Sequence, residues 1–352
     1  MFSITSTTAF AGALLLFVAP MAETLEFTPK SGVQITRTLT AERSMEMEYS
    51  KLTFMDHEID LGDGISMTST RSAVLVDSID KVEDGLILEF TRFYETIVDD
   101  SETEDGDGAA RVEAPDGDPS DLQGKSVGFA WDAEEDAYSA RYAGNEPGED
   151  EWLDGLTAAL DFTEWLPSED VDVGDKWEIP MEELASALWF GGRLYPILPV
   201  EHEEGPEGAI SIAVPNMNDA HMLNGSEESL VLTLGSVEGE DGARVAVVAL
   251  EWKGTLEQDL TEALAELGEA RGDSHGFDAA EQVIELSGTG ELRWGLDSGR
   301  LVALTLDVDL EIEENAEWST SAHDMDLDLT YSSAKTEAYH IELTCEEAES
   351  DE

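Results

Sequence analysis

Six histidines, His57, His202, His221, His275, His323 and His340, are the chain's natural candidates for moving a proton. They are scattered, and none stands at metal-ligand spacing; His202-Glu203-Glu204 lacks the second histidine that a helical zinc site needs. Ser332 to Lys335 (SSAK) has serine-any-any-lysine spacing, but it falls between two alternating strand segments instead of opening a helix, and reads as coincidence. The single cysteine, Cys345, allows no internal disulfide, and its acidic surroundings work against a thiolate. Carboxylates are so abundant, 81 Asp and Glu, that no chosen pair marks an acid/base site. In Asp99 to Gly108 (DDSETEDGDG), setting Gly106 or Gly108 at the glycine of a calcium loop puts Val112 or Ala114 where the bidentate Glu belongs. That stretch reads as a solvated loop. No catalytic residue, metal ligand or cofactor site is expected.

The charge balance of the 352 residues is more informative. Only 18 Lys and Arg oppose the 81 acids, for a net charge of −63, which excludes a phosphate-binding surface for nucleic acid. It also opposes docking on anionic membranes. Hydrophobic residues still make up 41% of the chain, enough to bury a core in a body of this size. Such one-sided charge repels itself in dilute buffer and is screened as the Debye length shrinks to about 3 Å near molar salt. Lysine, the usual surface cation, is scarce, with seven Lys against eleven Arg. Adaptation to high salt is the expectation, with divalent-cation binding as the rival.

The elements that must position any site are mostly strands. Leu304, Leu306, Val308, Leu310 and Ile312 alternate with Thr305, Asp307, Asp309, Glu311 and Glu313, the in-out rhythm of a half-buried strand. A turn is expected at Glu313 to Glu317 (EENAE), then a second strand through Met325, Leu327, Leu329 and Tyr331, then a third through Tyr339, Ile341 and Leu343. If the first two pair, their acidic faces coincide, at a cost of a few tenths to about 1 kcal/mol per opposed pair. Val245 to Trp252 is apolar in both phases, as for a strand covered on both sides. Turns at Asp84-Gly85 and Asp241-Gly242, with the tryptophans Trp131 and Trp294 following in the same order, predict two similar β halves.

Between the halves, Trp152, Leu156, Ala159 and Leu160 recur at helical spacing behind acids suited to a helix start. A second helix is predicted from Pro180 through Met181, Leu184, Leu188 and Trp189 to Gly191-Gly192, and a third through Leu256, Leu260, Leu264 and Leu267. Trp189 to Val200 (WFGGRLYPILPV) carries two prolines and one charge, too broken for a helix and too apolar for a solvated loop. It either packs over a sheet edge or lids an apolar cavity, and Trp189, Phe190, Leu194, Tyr195, Ile197 and Leu198 are the candidate cavity residues. Ala9 to Met21 is uncharged and shorter than the ~20 residues of a membrane span, as in a signal peptide.

Val171 to Pro180 (VDVGDKWEIP), Gly288 to Leu306 (GTGELRWGLDSGRLVALTL) and the alternating strands after them resemble exported bacterial proteins with a curved antiparallel sheet and helices in its concavity, such as the periplasmic lipoprotein carriers. The resemblance implies an architecture and not an activity. The chain departs from a carrier in its length, its acidity and its lack of a lipidation cysteine near the signal. The fold class expected is mainly β (α+β), with antiparallel curved sheets in two similar halves and a short helical insert. The divisions are a signal peptide at 1–22, a first β half at 23–146, a helical insert and apolar loop at 147–200, a connecting loop at 201–227, a second β half at 228–345 and an acidic tail at 346–352. The protein is expected to be secreted or periplasmic and non-enzymatic, with no nucleic-acid partner, no membrane span after signal removal and no cofactor. It binds an apolar ligand under Trp189 to Val200 on one reading. On a second it is a structural or interaction protein of the cell surface, and on a third a hydrolase.

Overall fold

The computed structural model describes residues 22–54, 57–60, 65–104, 112–113, 122–145, 148–153, 156–158, 160–188, 190, 194, 228–262, 277–322 and 325–348. Its strands are β1 (Gln34–Phe54), β2 (His57–Asp60), β3 (Ser66–Glu83), β4 (Leu86–Glu104), β5 (Val112–Glu113), β6 (Ser126–Asp132) and β7 (Ala137–Tyr142) in the first half. Then come β8 (Lys176–Pro180), in the insert, and β9 (Ser229–Glu238), β10 (Val245–Asp259), β11 (Phe277–Gly295), β12 (Arg300–Ala322) and β13 (Met325–Glu347). All thirteen join one sheet in the order β7-β6-β4-β3-β1-β13-β12-β11-β10-β9-β8, with β2 beside β1 and β5 beside β4. Every pairing is antiparallel, and β7 and β8 end the path unpaired with each other, so the sheet is open and not a barrel. The mainly β class holds, as one sheet.

The period-2 rhythm sets which face is buried. Leu304 to Ile312 in even steps turn inward, and Asp307, Asp309, Glu311 and Glu313 stand exposed on the outer face. At Asp84-Gly85 both residues have positive φ, 52° and 82°, and Glu83 pairs with Leu86, a two-residue hairpin turn that suits the twist of its strands. The inner face packs against Leu25 and against Leu160, Phe162, Trp165, Met181, Leu184, Phe190 and Leu194, in one core with the strands.

Several expectations are corrected. Glu313 to Glu317 is no turn but the middle of β12, and the segments around Tyr331 and Tyr339 are one continuous β13. Asp99 to Glu104 is the end of β4, hydrogen-bonded to β3, and not a loop. The insert is scarcely helical: the first expected helix is a three-residue 3-10 turn at Asp150–Trp152, and the second is a six-residue helix, α1 (Glu183–Leu188). The insert also supplies an edge strand, β8, and β13 extends into the segment expected to be tail. Leu256 lies in β10, leaving only residues 261–262 helical among the described part of the third candidate. On Val245 to Trp252 one face is buried, whereas Val247 is half-buried and Ala249 exposed on the other. Residues 1–21 and 201–227 lie outside the described residues.

The acids are also placed differently from the sequence expectation. The β12–β13 register sets Asp307 against His340, Asp309 against Ala338, Glu311 against Thr336 and Glu313 against Ala334, so the acidic faces do not meet head-on. Like pairs do occur at Glu285–Glu311 and Asp259–Glu281. Small or hydroxyl partners separate most of the charges, and what remains is longer-range repulsion that salt screens. The melting temperature is therefore expected to rise steadily as NaCl goes from dilute buffer to molar concentration; a melt by circular dichroism that shows no rise contradicts this.

Candidate functional site

Charged side chains stand at inward positions of otherwise apolar strand faces. Arg37 lies between Ile35 and Leu39, Asp77 between Leu75 and Ile79, and Arg92 between Phe90 and Tyr94, all on the inner face and all nearly inaccessible. Arg37 Nε donates to Asp77 Oδ2 at 2.9 Å, and Arg92 reaches the same carboxylate with Nε at 2.7 Å and Nη2 at 3.0 Å. The remaining donors go to the segment laid over the sheet. Arg92 bonds the carbonyls of Thr157 and Ala158 at 2.8 and 3.0 Å, while Arg37 bonds the carbonyl of Leu160 at 3.0 Å and the carboxylate of Asp161 at 2.7 Å. The stacked rings of Phe90 and Phe129, 4.7 Å apart, lie together beside the Arg92 guanidinium, 5.4 and 5.3 Å from its centre.

Two arginines on the sheet thus strap Thr157, Ala158, Leu160 and Asp161 to it, with Asp77 as their shared counter-charge. Burial pushes the Asp77 carboxyl upward, but the two guanidiniums outweigh it and hold its pKa below the ordinary carboxylate range. Next to this strap Phe162 takes a left-handed backbone, φ 48°, with its ring packed 4.9 Å from that of Trp165. Cys345 Sγ lies 3.4 Å from Arg37 Nη1, and burial pushes the thiol up to about 11, which leaves it a poor nucleophile. A cavity of about 30 Å3, room for a water or two, adjoins Asp161 and is also lined by Lys30, Ile35, Arg300 and Glu347.

A second polar set crosses the inner face farther along the strands. Glu314 accepts from Gln282 at 2.9 Å and from Ser333 at 3.0 Å, and Lys335 Nζ stands 3.5 Å from Glu314 and 3.6 Å from Glu337. Glu337 also accepts from Tyr339 at 2.6 Å and from Arg43 at 2.8 Å. Burial raises the Glu337 carboxyl, and Arg43, Tyr339 and Lys335 together bring it below its usual value. This band divides the main core from a smaller cluster of Leu52, Ala280, Ala316, Trp318, Leu329 and Tyr331.

The sequence-level candidates fare unevenly. Phe190 and Leu194 are buried in the main core, while Trp189, Tyr195, Ile197 and Leu198 lie outside the described residues, as do His202, His221, His275 and His323. Ser332 and Lys335, three apart in a strand, point to opposite faces and form no dyad. His340 hydrogen-bonds Asp307 at 2.7 Å on the open outer face, with Glu342 at 3.4 Å, not in a cleft. Its bond to Asp307 raises its pKa above 6.5. No group of three His, Cys, Asp or Glu among the described residues is arranged to hold a metal. Sequence reasoning missed Arg37, Asp77, Arg92 and Asp161; for the three on strands the signal was a charge in the inward phase of an apolar strand.

No protein-family model and no curated protein matches the chain. Among solved structures it is similar to an outer membrane channel from Pseudomonas putida F1 at 9% identity and a TM-score of 0.19, over 91% of this chain and 97% of that one. At that score the likeness carries no argument. Among the described residues no helix is long and apolar enough to cross a membrane, which says nothing of membrane crossing by strands.

Asp77→Asn leaves two buried guanidiniums without a counter-charge and is expected to cost about 3–5 kcal/mol at neutral pH in denaturant melts. Because the folded pKa of Asp77 is depressed, its contribution is present above the ordinary carboxylate pKa and is lost as pH falls through the lower folded value. The variant should lack that share of the acid sensitivity. His340 has the opposite sign: its stabilisation is complete below 6.5 and disappears as pH rises through its raised folded pKa. An NMR titration should place His340 above 6.5 and, in Asp307→Asn, move it back toward that value.

Proposed function

We propose that this protein is an exported, non-catalytic interaction protein of the cell surface or periplasm, working through an open, acidic sheet. The observation that carries it is how the two faces are used. Leu25, Leu160, Phe162, Trp165, Met181, Leu184, Phe190 and Leu194 pack over the described inner face, whereas the outer face of β10, β11 and β12 presents Glu251, Glu257, Glu285, Asp309, Glu311 and Glu317 directly to solvent. A sheet filled from within and charged without suits contact with other molecules across its surface or edges better than enclosure of a substrate. Only His57 and His340 fall within the described histidines; both are on exposed strands, so neither supports the hydrolase reading.

A second reading, carriage of an apolar ligand on the inner face, draws support from the strap formed by Thr157, Ala158, Leu160 and Asp161. It is fastened through side chains to the sheet and not woven into it as a strand. Native mass spectrometry of the protein purified from its own host separates the two. The polypeptide mass alone is expected; a stoichiometric lipid adduct overturns the interaction reading in favour of the carrier.

A further inference from the structure

The two ends of the sheet differ. β8 (KWEIP) has the features that blunt an edge: Lys176 at one end, Pro180 without an N–H at the other, and Glu178 at the centre. Antiparallel pairing of two β8 edges centred on that residue would set Glu178 against Glu178. β7 (AYSARY) has none of these. In a chain with 81 acids it holds no Asp or Glu, and its one charge is Arg141. Its neighbour β6 contributes a single acid, Asp132, at its end.

Among the described residues β7 pairs only with β6. Its inward side carries an aromatic rim: Tyr138 is half-buried, edge-on to Trp131 at 5.1 Å and to Phe90 at 5.8 Å, and its hydroxyl bonds the Ile87 carbonyl at 2.5 Å. Trp131 is itself only half-buried. Ala137, Ser139 and Arg141 are exposed on the outward side.

We propose that β7 is the docking edge for a second copy of this chain, extending the sheet antiparallel across a two-fold axis at Ser139. This deepens the interaction reading above and rests on it. A two-fold perpendicular to the sheet keeps the same face inward in both copies and requires partners of the same parity. Centring it on Ser139 pairs Ser139 with Ser139, Tyr138 with Ala140, and Arg141 with Ala137. No charge opposes a charge, and the two aromatic rims meet along the inner face. The second copy is favoured over a basic peptide because β7 itself holds no carboxylate: it offers a cationic strand only an Arg and backbone groups, the acids of the adjoining turn, Asp132, Glu134, Glu135 and Asp136, lying beyond its end.

Net charge then gates the contact. Two bodies of −63 each repel at 0.1 M salt, where the Debye length is about 10 Å, and far less near 1 M, where it is about 3 Å. Sedimentation of the full chain should show a dimer whose association constant rises at least tenfold from 0.1 to 3 M NaCl. Ser139→Cys should form an intermolecular disulfide under mild oxidation at 3 M NaCl and much less at 0.1 M, since the native Cys345 is buried. Glu178→Cys on β8 is the control and should stay monomeric, with melting curves confirming that both variants fold. A monomer at 3 M NaCl, or cross-linking through residue 178 at least equal to that through 139, overturns the edge assignment. A lipid adduct in the native mass spectrum would overturn the interaction reading itself, whichever way the cross-linking falls.

Discussion

The carboxylate of Asp77, shared between Arg37 and Arg92, is the contact on which the covered face depends. Three strands meet there, since Asp77 stands beside Ile35 of β1 and Arg92 of β4 in the sheet register. The donors left over are the ones that hold the strap. An ion group this deep gains little net stability, because taking the charges out of water opposes most of their attraction. What it supplies is position: the planar guanidinium forks fix where Thr157, Ala158, Leu160 and Asp161 cross the sheet, and the side chains of Leu160, Phe162 and Trp165 then fall into the core.

The second polar band acts at a different scale. Glu314, Lys335 and Glu337 interrupt the apolar phase of two long strands at a level where each must find its partner across the sheet. A slip of one residue would turn all of them outward and carry the outer-face acids into the interior. The same register keeps Asp307, Asp309 and Glu311 away from the acids of β13 and beside His340, Ala338 and Thr336. Alignment in this sheet is thus held by buried polar pairs on one side and by spacing of like charges on the other.

The parts of the fold that were legible in the sequence are those where the inward phase is purely apolar, such as Leu304 to Ile312. Continuity was lost wherever the inward phase turned polar. Glu314 and Ala316 made the middle of β12 look like a turn, and Ser333, Lys335 and Glu337 made β13 look like two strands. The insert misled for a related reason: Trp152, Leu156 and Leu160 have helical spacing, but the carbonyls around them bond arginine side chains instead of the next helical turn. Of the candidate cavity residues, the apolar character of Phe190 and Leu194 was readable, whereas their membership of a shared core depends on strands far away in the chain.

The sheet's middle consists of β1 lying against β13, from Ile35 beside Glu347 to Phe54 beside Leu329. The pair that joins the two wings is thus drawn from opposite ends of the strand sequence, the longest loop closure the topology offers. Folding of such a body has a high contact order, and its centre stays unzipped until the final hairpin has emerged. During synthesis each wing must wait with one bare edge, and the molecule becomes whole only when the last strand slides into the gap.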